Sequence, residues 1–370
     1  MRITEFIHTL HVGGAERLAV DLAICLARRG HQASVVSLHG TGGLEPELRD
    51  HGIQFLAMEK KTGLDLKPLF QLQRFLREHQ IQVLHTHNTH LHHHGVLAAR
   101  AAGVRAVVNT VHGLVNVPQG QKARMIYKAA ALATDRVTTV CQPVQEALQT
   151  QLGIPASMVE IVHNGIDPQR FLAAQPRPPD GDVVFGTIGR FVEVKNQCAL
   201  VEAFAQVHRQ RPHTRLRLMG YGPLKGALEA RIAALQLGHA VDMVDGGTAD
   251  GTEFLSQLDV FVMSSLSEGL PVSLLEAMAA ARVVIGTQVG AIPEVILGGR
   301  CGWLSESPDS SALAKVMLQA VDAPNRQELA ARARRHALQH FTLEQMARSY
   351  EQLFERVLSA TQRAGMAVAG

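Results

Sequence analysis

The stretch VFVMSSLSEGLPVSLLEAMAAARVVIGTQVGAIPEVI (260–296) decides the fold class. Two short apolar runs, VFVM (260–263) and VVIG (283–286), flank a turn holding Glu268 and a segment opened by Pro271. Proline's fixed φ suits the first position of a helix. A strand, a helix and a second strand at this spacing make a βαβ unit, which needs a parallel sheet.

Working outward, the same rhythm fills both halves of the chain. DVVFGTIG (182–189), RLRLMG (215–220), VDMV (241–244) and a short run near Gly302–Leu304 complete one series of strands. Residues 2–8, VVSL (35–38), FLAM (55–58), VLHT (83–86), AVVNTV (106–111), RVTTV (136–140) and VEIVHN (159–164) form another. Between the series lies LAAQPRPPDGD (172–182), whose prolines and polar neighbours read as a linker. The expectation is an α/β protein with two Rossmann-like doubly wound domains, 1–171 and 183–341, facing a central cleft. Residues 342–370 read as a last helical segment. At 370 residues two domains are the default.

Composition narrows the function. A net charge of +3 is too weak for a nucleic-acid binder. With 4% aromatic residues and Trp303 as the one tryptophan, an aromatic sugar platform or base-stacking surface is disfavoured. Cys25, Cys141, Cys198 and Cys301 are scattered, against a disulfide framework or zinc site. The N-terminus MRITEFIHTL does not read as a signal peptide, and no apolar run spans a bilayer. The chain reads as cytoplasmic and soluble, compatible with a peripheral membrane position.

In parallel-sheet domains ligand loops follow the carboxyl ends of strands. After VFVM come Glu268, Leu270 and Pro271, then the helix-opening amides of Val272 and Ser273, suited to a phosphate, and Glu276. A carboxylate beside a diphosphate serves to accept hydrogen bonds from sugar hydroxyls. After the first strand of the second half, GTIGRFVEVKNQ (186–197) supplies Arg190 and Lys195, a planar fork and a point charge for a leaving phosphate. Gly13 and Gly14, in HTLHVGGAERLA (8–19), leave backbone bare at the first strand–helix turn. The GxGxxG fingerprint is missing and no acidic residue ends the second strand, which weakens a nicotinamide oxidoreductase. His112 follows the strand AVVNTV.

Glu268 and Glu276 with their context match the E-x7-E motif of the retaining GT-B glycosyltransferases, of the family 4-like, group 1 type. The resemblance runs along nearly the whole chain and implies a metal-independent hexosyltransferase without a cofactor. It would move a sugar from a UDP- or GDP-linked donor to a glycan or lipid-linked acceptor, in cell-envelope or exported polysaccharide synthesis. The resemblance makes 1–171 the acceptor domain and 183–341 the donor domain, and implies that the last helix, within 342–370, packs back on the first domain. It implies that Glu268 binds the donor sugar and Glu276 the ribose, while Arg190 and Lys195 neutralise the departing diphosphate. Gly13 and Gly14 would lie beside the donor phosphates, His112 near the reacting carbon, and Gly246 beside the base. Asp245 stands before Gly246 where the family has an apolar residue, which puts the base contact in doubt. A nucleotide-sugar epimerase of the same fold is the alternative, and a silent sugar-nucleotide binder a further rival.

Two features stay open in the sequence. His85, His87, His90, His92, His93 and His94 invite a metal reading, an acceptor or anion contact, or a solvated surface, with no HExxH and no paired carboxylate beside them. Lys122, Arg124 and YKAAALATDR (127–136) suggest a basic amphipathic helix, either membrane-facing or merely solvated.

Overall fold

A computed structural model describes residues 1–11, 13–61, 63, 65–171, 181–247 and 250–369. The chain divides into two units, one of Met1–Gly165 with the segment from Leu343 onward, the other of Ile166–Thr342.

The first unit holds strands β1 (Arg2–Ile7), β2 (Gln32–Ser37), β3 (Gln54–Ala57), β4 (Val83–His87), β5 (Ala106–Val111), β6 (Arg136–Thr139) and β7 (Val159–Ile161). They pair in parallel in the order β3-β2-β1-β4-β5-β6-β7. Around them run α1 (Gly14–Arg28), α2 (Glu45–Asp50), α3 (Lys67–Glu78), α4 (His92–Ala102), α5 (Gln121–Leu132) and α6 (Gln142–Leu152). β5 is buried along its whole length, as expected for a strand covered on both faces. One face packs Phe6, Leu84 and Val107 under α3 and α4, and the other packs Ile7 and Val35 against α1. α4 and α6 stop at Gly103 and Gly153, which take the left-handed conformation that glycine adopts without strain.

The second unit repeats the plan. Strands β8 (Val183–Ile188), β9 (Thr214–Gly220), β10 (Val241–Asp245), β11 (Val260–Met263), β12 (Val283–Thr287) and β13 (Trp303–Ser305) form a parallel sheet ordered β10-β9-β8-β11-β12-β13. Its helices are α7 (Gln197–Gln210), α8 (Lys225–Ala234), α9 (Gly251–Ser256), α10 (Val272–Ala279), α11 (Ile292–Val295), α12 (Ser310–Asp322) and α13 (Arg326–His340). α9 and α12 begin at Asp250 and Asp309, whose carboxylates accept from amides of the first turn.

The last helix, α14 (Leu343–Ala369), belongs to the first unit. Arg29 at the end of α1 binds Glu344 and Glu351, and Arg356 reaches Glu160 at 2.6 Å. Tyr350, Leu353 and Phe354 are buried. Each such apolar side chain is worth about 1.5–3 kcal/mol when fully buried, so packing outweighs the surface ion pairs.

The boundary between the units differs from the sequence expectation of 171. Ile166 already belongs to the second unit, its amide donating to the Phe341 carbonyl at 2.9 Å, and Phe171 is buried with Arg334 on its carbonyl at 3.0 Å. Of the linker read over 172–182, residues 172–180 lie outside the described residues. Among the described residues, no helix is long and apolar enough to cross a membrane.

Candidate functional site

In the second unit, neighbouring strands bring the sequence motifs together. β8 pairs with β11 through Phe185↔Val260, so the loops after both strands emerge side by side. The loop after β8 closes in a single 3-10 turn, Glu193–Lys195, and the Lys195 ammonium lies 2.5 Å from Glu268 Oε1. Ser265 Oγ donates to the same oxygen at 2.6 Å. The backbone is held from both sides: Leu266 N donates to the Val194 carbonyl at 2.8 Å, and Ser264 Oγ to the Lys195 carbonyl at 2.9 Å. Lys195 and Glu268, expected on a phosphate and a sugar respectively, therefore bind each other in this structure.

α10 begins one residue later than read from the sequence. Pro271 is the residue before the helix, with ψ at 120°, and Val272 is its first member. The Val272 and Ser273 amides then belong to the first turn, where no helical carbonyl reaches them. Glu276 lies about one turn further on, with Arg170 Nη1 at 3.4 Å. Leu270 is buried beneath the loop, while the Arg190 side chain is exposed and its carbonyl accepts from Gln197 Nε2 at 2.9 Å.

Glycines shape this region by close backbone approach. A Cβ on Gly246 would sit 2.8 Å from the Gly220 Cα, and Gly246 N donates to the Gly220 carbonyl at 3.2 Å. Asp245 turns its carboxylate to the Gly247 amide at 2.8 Å, which accounts for an acid at that position. Gly290 has φ +54°, and a Cβ there would lie 2.5 Å from the Glu268 carbonyl oxygen.

In the first unit, Gly13 precedes α1 in an extended conformation and Gly14 opens the helix, with open space where a Cβ on Gly14 would stand. His112 follows β5, and its Nε2 is 2.9 Å from His87 Nδ1. His87 Nε2 is in turn 2.7 Å from Glu5 Oε2, and His85 Nδ1 approaches the same oxygen at 2.7 Å. His85 Nε2 continues to Thr110 Oγ1 at 2.6 Å, which also meets the Thr138 hydroxyl and, at 2.9 Å, the Tyr350 hydroxyl.

Charge within this chain follows from burial and partners. Burial alone would raise the Glu5 carboxyl, but His85 and His87 beside it outweigh burial and hold it at about 2. Burial, then His85, push His87 down to about 4. Burial, then His87 and His85, also lower His112. An ionised Glu5 takes the proton side of His87 Nε2, so His87 Nδ1 accepts and His112 Nε2 donates. The lone pair of His112 then sits on Nδ1, a buried atom with no hydrogen-bond partner.

The sequence offered no carboxylate for the histidine run, and the fold supplies Glu5 from β1. Glu5, His85 and His87 place one oxygen and two nitrogens within 4.8 Å of one another, a donor set that a divalent metal accepts. His87 Nε2 hydrogen-bonds the ionised Glu5 at 2.7 Å, whereas His85 Nδ1 lies equally near but makes no hydrogen bond, and Glu5 Oε1 is buried without a partner. The remaining histidines have other surroundings. His92 is buried, bridging Thr86 at 2.8 Å and Thr134 at 2.9 Å, whereas His90, His93 and His94 line an open pocket. Helix α5 buries Tyr127 on Asn109 Oδ1 at 2.8 Å and exposes Met125, Ile126 and Leu132 beside Lys122.

The sequence did not single out Glu5, Ser265, Arg170 or Gly290. Glu5 carried a signal, an acid inside an otherwise apolar strand, whereas the other three acquire their partners only through the fold.

The family descriptions Glycosyltransferase Family 4 and Glycosyl transferases group 1 match residues 12–170 and 168–339. Over 215 residues the chain is 27% identical to a Salmonella typhimurium protein named for colanic acid biosynthesis, covering 56% of this chain and about half, 53%, of that protein. It is 25% identical to the Escherichia coli UDP-Gal:alpha-D-GlcNAc-diphosphoundecaprenol alpha-1,3-galactosyltransferase, over 76% of this chain and 77% of that one. The fold superposes on the Anabaena protein HepE in complex with UDP-glucose at a TM-score of 0.83 and 20% identity, covering 97% and 100% of the two chains. With two Rossmann-like sheets and these two matches following one another along it, the chain belongs to the GT-B glycosyltransferases, with a family 4 first part and a group 1 second part.

Proposed function

We propose that this protein is a retaining, metal-independent glycosyltransferase that takes a sugar from a UDP- or GDP-linked donor. The observation that carries the reading is the Lys195–Glu268 pair at 2.5 Å, on the loop that leads into α10. A donor diphosphate would draw Lys195 and Arg190, together with the Val272 and Ser273 amides, onto its oxygens. Glu268, released from Lys195, would accept from the sugar hydroxyls beside Leu270 and Pro271, and Glu276 would accept from the ribose. Gly246 would lie beside the base, with Gly13, Gly14 and His112 on the sugar and phosphate side.

In this reaction the acceptor hydroxyl forms a bond to the anomeric carbon as the bond to the diphosphate oxygen breaks, on the same face. The hydroxyl proton passes to the departing phosphate. Charge builds on the leaving group, and fixed donors stabilise it. Lys195, Arg190 and the amides supply the neutralisation, which leaves no step for a metal. UDP and UDP-glucose in a structural neighbour, and a diphosphoundecaprenol acceptor in a relative, support a nucleotide-sugar donor and a glycan or lipid-linked acceptor. Relatives named for colanic acid and amylovoran biosynthesis support a setting in polysaccharide synthesis.

A thermal-shift screen against UDP, GDP, ADP and their sugars, with and without EDTA, tests the donor. Stabilisation by one diphosphate, unchanged by EDTA and lost in Lys195→Ala, is the expected outcome; no shift with any of them would overturn the reading. Proton NMR of the product's anomeric coupling tests retention.

A further inference from the structure

The first unit contains a pocket of about 410 Å³ walled by histidine. His8 follows β1 and His39 follows β2, while His90 precedes α4 and His93 and His94 stand in its first turn. All five therefore sit at the carboxyl ends of parallel strands or on the helix that follows one, where such sheets hold ligands. The rings crowd together: His8 to His39 at 4.6 Å between centroids, His8 to His90 at 4.5 Å, His93 to His94 at 4.0 Å. Lys60 and Asp65 are the charged side chains that line the pocket. Asp65 spends its carboxylate on the Lys61 and Lys67 amides, at 2.9 and 3.1 Å, so the wall offers imidazoles and an ammonium. His8 Nδ1 and His94 Nδ1 are buried with no hydrogen-bond partner, although a buried polar atom ordinarily has one.

We propose that this pocket binds a phosphate or diphosphate group, and that binding takes up protons onto its histidines. That the group belongs to the sugar acceptor rests on the transferase reading; the pocket itself does not. Burial, then the neighbouring rings, push His90 and His94 down to about 4 and lower His8, and burial with Lys60 lowers His93. In the free pocket His8, His90, His93 and His94 are thus held neutral, and charged rings so close together would repel one another. A phosphate removes that repulsion, and each captured proton turns a neutral ring into a charge-assisted donor. The volume lies within the range of ligand sites and admits a diphosphate with part of a sugar. A metal is the less favoured occupant, because among the described residues these five rings form no group of convergent donors.

The test uses the full chain with UDP at saturation, so that the donor phosphate site is filled. Sulfate, which does not titrate between pH 6 and 8, is the probe. Calorimetry in two buffers of different ionisation enthalpy is expected to show proton uptake, and affinity rising about tenfold per pH unit lowered for each proton taken up. His90→Gln with His94→Gln should abolish binding. Should that variant fail to fold, histidine-labelled NMR of the unaltered chain at pH 6.5 must show rings gaining protons as sulfate is added. Binding without proton uptake, or no sulfate binding in a chain that still binds UDP, overturns the pocket and leaves the transferase reading standing. Loss of UDP binding itself would instead be the failure of that reading. A second arm compares pyrophosphate with geranyl pyrophosphate: tighter binding of the ester assigns the group to a lipid-linked ligand, and equal or weaker binding to a soluble one.

Discussion

The Lys195 ammonium sits 2.5 Å from Glu268 Oε1, within a loop pair that two adjacent strands bring side by side. The side chains are 21% and 10% exposed, so water screens the pair only in part. Each residue is thereby held in place before any ligand arrives, at the cost that a donor must separate them.

Replacing Lys195 by Ala should lower kcat/KM on the order of 100-fold or more, as expected when a charge on a leaving group is lost. Glu268→Gln should lower kcat while UDP, which carries no sugar, still binds. Steady-state kinetics beside UDP thermal shifts check both. Equal loss of UDP binding in the two variants would contradict the division of roles.

Gly290→Ala should damage the site without touching a ligand. At φ +54° a side chain costs roughly 1–3 kcal/mol in backbone strain, and its Cβ would press on the Glu268 carbonyl at 2.5 Å. The Ala291 amide, which donates to Gly269 at 2.8 Å, moves with it. Expected are a lower Tm and an activity loss larger than the unfolded fraction explains.

Acid should unfold the first unit from well above the carboxylate range. His87 and His92 are held at about 4 and about 3 in the fold, burial being the first cause, against 6.5 when unfolded. Between pH 6.5 and about 4 the unfolded chain binds more protons, so stability falls as pH drops. Each group contributes up to about 1.4 kcal/mol per pH unit across that window. Glu5, held at about 2 against 4.5, adds a loss in the same direction below pH 4.5. Urea midpoints at pH 7, 6 and 5 should decline steadily, and a flat series would refute the neutral assignment.

Truncation after Thr342 removes α14 and should leave the first unit unable to fold. Tyr350→Phe is the milder probe, taking one hydroxyl from Thr110 at a cost of about 1–2 kcal/mol. Denaturant melts followed by circular dichroism read both; an unchanged midpoint in the truncated chain would show the helix to be dispensable.

Metal content by plasma mass spectrometry, and activity after EDTA, decide whether Glu5, His85 and His87 stay free of metal. Metal at background level and unchanged rates are expected, because Glu5 is already hydrogen-bonded to His87; near-stoichiometric metal, which a donor set of this kind would hold tightly, would overturn that.

Sequence determined a good deal of this protein. Short apolar runs rich in β-branched residues, such as AVVNTV and VFVM, read as strands buried on both faces, and their regular alternation with helices implies parallel sheets. The eight-residue step from Glu268 to Glu276 straddles a strand-end turn and a helix, so one local stretch positions both carboxylates. Contacts between residues distant in the chain were decided by the tertiary structure. Lys195 meets Glu268 because β8 lies against β11, and Glu5 meets His85 and His87 because β1 lies against β4. The histidine run 85–94 looked like one cluster and became three: a carboxylate network, the buried His92, and a pocket wall shared with His8 and His39. Periodicity tells which residues are buried, since burial repeats with the local geometry of helix and strand. Which buried group faces which depends on strand order, and strand order is set by packing over the whole sheet.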